Sequence, residues 1–414
     1  MGPAPDIAGR TTYRRGQRAR IARVIAAMLM WSGGGGSATT GANQIGEAPK
    51  TPPEVVAIPT DNPRRSPLDT AVHEAATSLF KDPVHVGLSI VVSVNGQTTF
   101  YNYGTTSKAS PRVPTSDTLY EIGSITKTFT GVLAARAVLE DRMRLDDDFR
   151  RYLPEPYPNL ESGGRPITLR TLATHTSGMP RDLPATDHLF ANPDVERLPY
   201  QLIELETPYD RSRYLRELHG VSLASAPGEK MNYSNIGIKL LGFGLEGVFR
   251  RSFTELLKDL ITGPLQMPST TIEVAPADRG RVAQGYSPGG KPAPYHLPNA
   301  GAAGGLYSST RDLARYLTWH LDETDPVIGQ SHAVVSGDLE SFAEGMGWNM
   351  ARTADQGRKV WQSGGVFGMS SQMVLFPAEH IGLVLLANDG GFNTQGQLDA
   401  AALAVARAVR KAAR

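Results

Sequence analysis

The chain has 414 residues and no cysteine, so it can form no disulfide, thiolate nucleophile or cysteine-bound metal site. Apolar residues make up 40% and charged residues 20%, the balance of a soluble globular protein with enough length for one large domain or two. A formal charge of +1 gives no reason to expect nucleic acid or an anionic membrane surface as partner.

The first segments read as export signal and tether. Arg14, Arg15, Arg18, Arg20 and Arg23 precede the apolar run VIAAMLMW (24–31), and small residues follow in GGGGSATTGA (33–42). This is the pattern of a secretory signal peptide within residues 1–44, and it places the protein in the periplasm or outside the cell. A disordered N-terminal extension on a cytoplasmic protein is the alternative. The run is shorter than the about 20 apolar residues a bilayer requires, so no stable membrane span is expected. Pro49, Pro52, Pro53, Pro59, Pro63 and Pro67 mark 45–67 as an extended linker, with folded structure expected from near Leu68.

Next, LDTAVHEAATSLFK (68–81) sets Leu68, Val72, Ala75, Ala76, Leu79 and Phe80 on one helical face. VHVGLSIVVSVNGQTTFYNYG (84–104) then alternates apolar residues up to Asn95-Gly96, the strongest short-range hairpin signal. Residues 115–345 carry mostly helical patterns broken by Pro/Gly loops. Near the C-terminus, SQMVLFP (371–377) and HIGLVLLAN (380–388) form a second hairpin, followed by the amphipathic helix QLDAAALAVARAVRKAAR (397–414). Strands at both ends with helices between imply an α/β (α+β) fold: one antiparallel sheet built from both termini, flanked by helices, with a largely helical insertion.

Three segments carry candidate chemistry. In YEIGSITKTFTGVLAARAVLEDRM (120–143) the helical period begins at Ile125, which puts Ser124 at the helix start. Taken alone, Ser124 is a capping serine and Lys127 a solvated lysine. The alternative is a Ser-x-x-Lys pair on one helix face, in which burial keeps part of the lysine neutral and able to activate the hydroxyl. APGEKMNYSNIGIKLLG (226–242) offers Tyr233 and Asn235 as a proton-shuttling phenol and a substrate-binding amide, or simply a turn. VWQSGGVFGMSSQMVLFP (360–377) contains Gly364-Gly365, either a sheet bulge or a strand left uncovered so that a substrate lies along it.

The three boxes in this order resemble the serine β-lactamase and penicillin-recognising enzyme family, in its class C β-lactamase and D-alanyl-D-alanine carboxypeptidase/esterase branch. The resemblance runs over residues 68–410 and includes ITLRTLATHTSGMP (167–180) and AAGGLYSSTRDLARYL (302–317). It implies a β-lactamase-like serine hydrolase domain over 68–414, working without metal or cofactor on a small-molecule acyl substrate: a β-lactam, a D-Ala-D-Ala peptide or an ester. It also implies that Ser124 is the nucleophile, Lys127 its activator and Tyr233 the general base for acylation and deacylation. Asn235 would bind the substrate amide, and the N–H groups of Ser124 and Gly365 would form the oxyanion hole. Asn388 and Asn393 fall where class C enzymes keep asparagines near the substrate carboxylate.

The third box departs from the family's Lys-Thr-Gly or His-Thr-Gly, reading Gln362-Ser363-Gly364. Ser363 keeps a hydroxyl and Gly364 the open strand, but Gln362 gives up a fixed positive charge. That loss costs a carboxylate-bearing substrate on the order of 1.5–3 kcal/mol and affects neutral esters less. A β-lactamase is the leading expectation, with a D-alanyl-D-alanine carboxypeptidase/endopeptidase or a carboxylesterase as the alternative. A non-catalytic binding or scaffold protein is the alternative of another class, which the intact Ser124, Lys127 and Tyr233 argue against.

Several other signals have plain structural readings. Gly242-Phe-Gly-Leu-Glu-Gly247 follows no strand, so it is no dinucleotide loop. His73-Glu74 lacks a second histidine, His175 reads as a loop organiser, and Asp146–Asp148 as a solvated helix end. Ser309 with Asp312 reads as a helix capping box rather than a nucleophile, and no G-x-S-x-G elbow occurs.

Overall fold

The computed structural model describes residues 57–190, 193–295, 298–353 and 357–412. The expected signal segment and most of the expected linker lie outside the described residues. Helix α1 (Pro67–Leu79) begins where its capping chemistry puts it. Ser66 Oγ accepts from the Asp69 N–H, the Asp69 carboxylate accepts from the Ser66 N–H, and Pro67 fills a first position that needs no donor.

Folded structure starts before this helix, at residue 58 rather than 68. Asp61 accepts from the backbone and side-chain amides of Asn102 at 2.7 and 2.6 Å. Buried Asn62 donates to the Asp69 carbonyl and the Tyr103 hydroxyl at 2.8 and 2.6 Å. Pro59 and Pro63 suggested a tether, but here the segment is a strap along an edge strand. Proline is tolerated there because no ladder bond is lost.

That edge strand is β2 (Gln97–Gly104), joined to β1 (Gly87–Val94) through Asn95-Gly96, both in the left-handed region with φ of 51° and 80°. The remaining strands of this sheet are β3 (Ser336–Asp338), β4 (Phe342–Glu344), β5 (Asn349–Thr353), β6 (Gly357–Gly365), β7 (Ser370–Phe376) and β8 (Ile381–Ala387). They make one antiparallel sheet in the order β2-β1-β8-β7-β6-β5-β4-β3, so β1 from one end of the chain pairs with β8 from the other.

The central strands are buried on both faces, which explains their near-continuous apolar runs. Ile90, Val374, Leu383 and Leu385 face a cluster with Val72, Ala76 and Leu79 of α1 and with Leu398, Ala402 and Val405 of the C-terminal helix. Val91, Met373, Leu375, Val384 and Leu386 face the helical body. At the centre of that body is α2 (Thr126–Leu139), buried along most of its length, its threonines and Lys127 included. Its Phe129 stacks at 4.0 Å on Tyr316 of α4 (Thr310–His320). Ser309 caps that helix, but the expected capping box is only half made, because the Asp312 carboxylate accepts from the Ser269 N–H and the Thr270 hydroxyl instead. The glycines 242, 244 and 247 lie inside α3 (Asn235–Phe249) and form no phosphate loop. The chain closes with α5 (Thr394–Ala412). Among the described residues no helix is long and apolar enough to cross a membrane.

Two features of this frame shape a cleft. The β5–β6 pairing stops at Asn349↔Trp361, while the β6–β7 pairing continues to Gly365↔Ser370. Residues 362–365 therefore keep one open edge. The turn 122–124, which leads into α2, lies against that stretch.

Candidate active site

Gly123–Ile125 is a single 3-10 turn ahead of α2, so Ser124 sits inside a tight turn rather than at a helix cap. The turn is fixed from the sheet. Ser371 Oγ on β7 donates to the Ile122 carbonyl at 2.8 Å. A Cβ on Gly364 would stand 2.1 Å from that same carbonyl oxygen and 2.3 Å from Ser371 Oγ. A Cβ on Gly123 would stand 2.7 Å from the Gly365 nitrogen. The double glycine is thus first a place where the turn bearing Ser124 meets β6 backbone to backbone. It also brings the Gly365 amide beside that turn.

Two polar side chains converge on the hydroxyl of Ser124, itself half-buried. Lys127 Nζ donates to Ser124 Oγ at 3.0 Å, and the Tyr233 hydroxyl shares a 2.6 Å hydrogen bond with the same oxygen. Lys127 also donates to Asn235 Oδ1 at 2.8 Å and to the Ala303 carbonyl at 2.6 Å. It is 1% exposed. Burial pushes its ammonium below the usual lysine range, against the opposing pull of Tyr233 and Asp182. Three acceptors suit the ammonium, and the burial makes the neutral amine accessible. The pair of states is what a proton relay needs.

Tyr233 is held by the loop before α3. Ser234 Oγ accepts from the Gly237 N–H and donates to the Pro180 carbonyl, while the Ser234 N–H donates to His175 Nδ1 at 3.2 Å. The His175 ring packs 4.4 Å from the Tyr233 ring, centroid to centroid. Burial, helped by the Lys127 charge, pulls His175 down to about 3. It is therefore neutral, with its proton on Nε2 because Nδ1 accepts. The loop-organising role read from the sequence corresponds to these contacts.

This histidine has a measurable consequence. Unfolded, its pKa returns to about 6.5, so the unfolded chain binds the extra proton between about pH 6.5 and 3. Stability is fully present above that window and falls with acidification, at most about 1.4 kcal/mol per pH unit from this group. Urea midpoints measured from about pH 7.5 to about pH 4.5 should fall more steeply for the wild type than for His175→Asn. Equal slopes would show that His175 titrates the same way folded and unfolded.

The remaining residues named from the sequence divide. Asn235 is tied into the site: its Oδ1 accepts from Lys127 at 2.8 Å and its Nδ2 donates to Asp182 Oδ1 at 2.9 Å, which leaves one amide hydrogen over. Gln362 is only 8% exposed. Its Nε2 donates to the Gly347 carbonyl at 2.9 Å, and its Oε1 accepts from the Ser363 N–H at 3.0 Å and the Asn349 amide at 3.4 Å. Ser363 Oγ donates to Gln372 Oε1 at 2.6 Å. Asn388 is fully buried and clamps the carbonyls of Thr105, Thr106 and Gln284, so it cannot meet a substrate carboxylate. Asn393 is exposed, immediately before α5.

Sequence reasoning missed Asp182, the Ala303 carbonyl and Gln395. Asp182 follows the quoted THTSGMP segment by two residues and gave no signal of its own. A carbonyl partner carries no residue-type signal at all. The sequence pattern starts the last helix at Gln397, yet α5 begins at Thr394 and the Gln395 amide lies 2.3 Å from where a Gly365 Cβ would be. Among the described residues no group of three His, Asp or Glu is arranged to hold a metal ion.

The chain is similar to known proteins over most of its length. A sequence model of the Beta-lactamase family matches residues 76–408. The chain is 32% identical over 252 residues to a beta-lactamase of Providencia stuartii, covering 59% of this chain and 58% of that protein. It is 28% identical over 331 residues to the D-alanyl-D-alanine-carboxypeptidase/endopeptidase AmpH of Escherichia coli K12, covering 75% and 81% of the two chains. In fold it is similar to a beta-lactamase/D-alanine carboxypeptidase from Pseudomonas syringae, with a TM-score of 0.69 at 23% identity over 83% of this chain and 99% of that one. A class C beta-lactamase superposes with a TM-score of 0.70 at 21% identity, covering 82% and 96%. With its Ser-x-x-Lys turn, its Tyr-x-Asn loop and a family match over most of its length, the chain belongs to the beta-lactamase family.

Proposed function

We propose that the protein is a serine hydrolase that works through an acyl-enzyme on Ser124. The observation that carries this reading is the Ser124 oxygen held between Lys127 Nζ at 3.0 Å and Tyr233 Oη at 2.6 Å. In the acylation step Ser124 Oγ attacks the acyl carbonyl and its proton passes to this Lys–Tyr pair. The N–H groups of Ser124 and Gly365 receive the developing oxyanion. Tyr233 returns the proton to the leaving group, and the same pair then draws a proton from the water that attacks the ester. The open edge at 362–365 gives an extended acyl donor a strand to lie along.

The amide of a β-lactam is the substrate that the family relationship favours. A second reading, a peptidase or carboxylesterase acting on neutral acyl donors, is favoured by Gln362, whose buried amide supplies no cation where a carboxylate would be received.

Incubation with a β-lactam, an activated ester and a D-Ala-ended peptide, followed by intact-mass measurement, tests the common step. The expected result is an acyl adduct on the wild type and none on Ser124→Ala. Absence of any adduct across the three donors would remove the acyl-enzyme from consideration.

A further inference from the structure

A hydrogen-bond chain beneath β6 is used by none of these steps. Lys359 Nζ donates to both oxygens of Asp399, at 2.6 and 2.9 Å. Asp399 Oδ1 also accepts from Gln372 Nε2 at 2.7 Å, and Gln372 Oε1 accepts from Ser363 Oγ at 2.6 Å. Lys359 and Gln372 are buried, and Asp399 projects from α5.

Every direction in this chain is forced. An ammonium only donates and a carboxylate only accepts. Gln372 must therefore turn its NH2 to Asp399 and its carbonyl to Ser363, whichever way the amide is drawn. Ser363 spends its single hydroxyl proton inward and keeps only lone pairs for anything else. It is half-buried on the open-edged stretch 362–365, beside Gly364 and Gly365. Its neighbour Gln362 is bonded into the protein through both amide atoms.

We propose that the Lys359–Asp399–Gln372 chain makes Ser363 an acceptor-only contact, so that the cleft is matched to acyl donors presenting an N–H or O–H there. A primary carboxamide meets that requirement. At Ser363 a carboxylate meets lone pairs with lone pairs, and the buried Gln362, which spends one amide hydrogen on the Gly347 carbonyl, brings no positive charge in exchange. The proposal rests on the acyl-enzyme reading above and names the substrate class of that same site.

Two depsipeptides, identical except that the leaving group ends in a carboxylate or in a primary carboxamide, test it on the full chain. In the wild type kcat/KM should favour the carboxamide by about tenfold or more. In Gln372→Met the Ser363 hydroxyl is released to donate, and the ratio should collapse toward one or reverse. Asp399→Asn lets the new amide donate to Gln372 and so reverse the chain, and it should shift the ratio the same way. A partly unfolded fraction cancels, because each ratio is taken within one sample. A wild type that prefers the carboxylate overturns the proposal, as does a ratio unmoved in both variants, which is what a purely structural chain would give. If neither depsipeptide leaves an adduct on Ser124, the acyl-enzyme reading fails and takes this proposal with it.

Discussion

Replacing Lys127 by methionine should slow formation of the Ser124 adduct by about a thousandfold while leaving the protein folded. The amine is the group that couples Ser124 Oγ to the Asn235 amide and the Ala303 carbonyl. Without it, Tyr233 alone remains within hydrogen-bond reach of the hydroxyl. Two stability effects offset each other. Each acceptor that loses its donor costs about 1–3 kcal/mol. Removing a buried ammonium recovers several kcal/mol of desolvation. Stopped-time intact-mass measurement gives the rate, and urea unfolding gives the stability. A variant that acylates within about tenfold of wild type would show that Lys127 is scaffolding rather than part of the proton relay.

Gly364→Ala should cost about 1–3 kcal/mol of stability and about a hundredfold in acylation rate. Its Cβ would stand 2.1 Å from the Ile122 carbonyl oxygen, which belongs to the turn bearing Ser124 and is tied to Ser371. Backbone on one side and a clamped hydroxyl on the other leave only the nucleophile turn to move. Gly365→Ala is the control. There the added methyl meets the end of the exposed Gln395 side chain, which can swing aside, so both effects should be small. Equal behaviour of the two variants, by urea midpoint and by acylation rate, would remove the proposed clash at Ile122.

Local signals were legible wherever the cause is local. Asn95-Gly96, the alternation of β1, the period of α2 and the apolar runs of β7 and β8 each follow from backbone geometry within a few residues. The Ser124–Lys127 spacing is local too. What the spacing could not reveal is that Lys127 is sealed under the short helix ending at Gly304, since its third partner is a backbone carbonyl 176 positions away. The sequence offers Asn235 as a substrate-binding amide, and the fold adds that Lys127 and Asp182 hold its two ends. Asn388 is the case the letters cannot resolve, because a buried asparagine and a substrate-facing one are identical in sequence. Proline content misplaced the start of the fold, because Asp61 and Asn62 are held by partners some 40 positions downstream.

The clamp on the nucleophile also sets when the catalyst comes into being. Ser371 reaches the Ile122 carbonyl across 249 positions, and β1 finds its neighbour β8 only after nearly the whole chain is available. Contacts of such separation close slowly, because loop entropy is spent before they form. A nascent chain that lacks its last strands carries Ser124, Lys127 and Tyr233 but has no Gly365 amide and no clamp beside them. Chemistry is therefore the last property this protein acquires, switched on by the docking of its C-terminal strands.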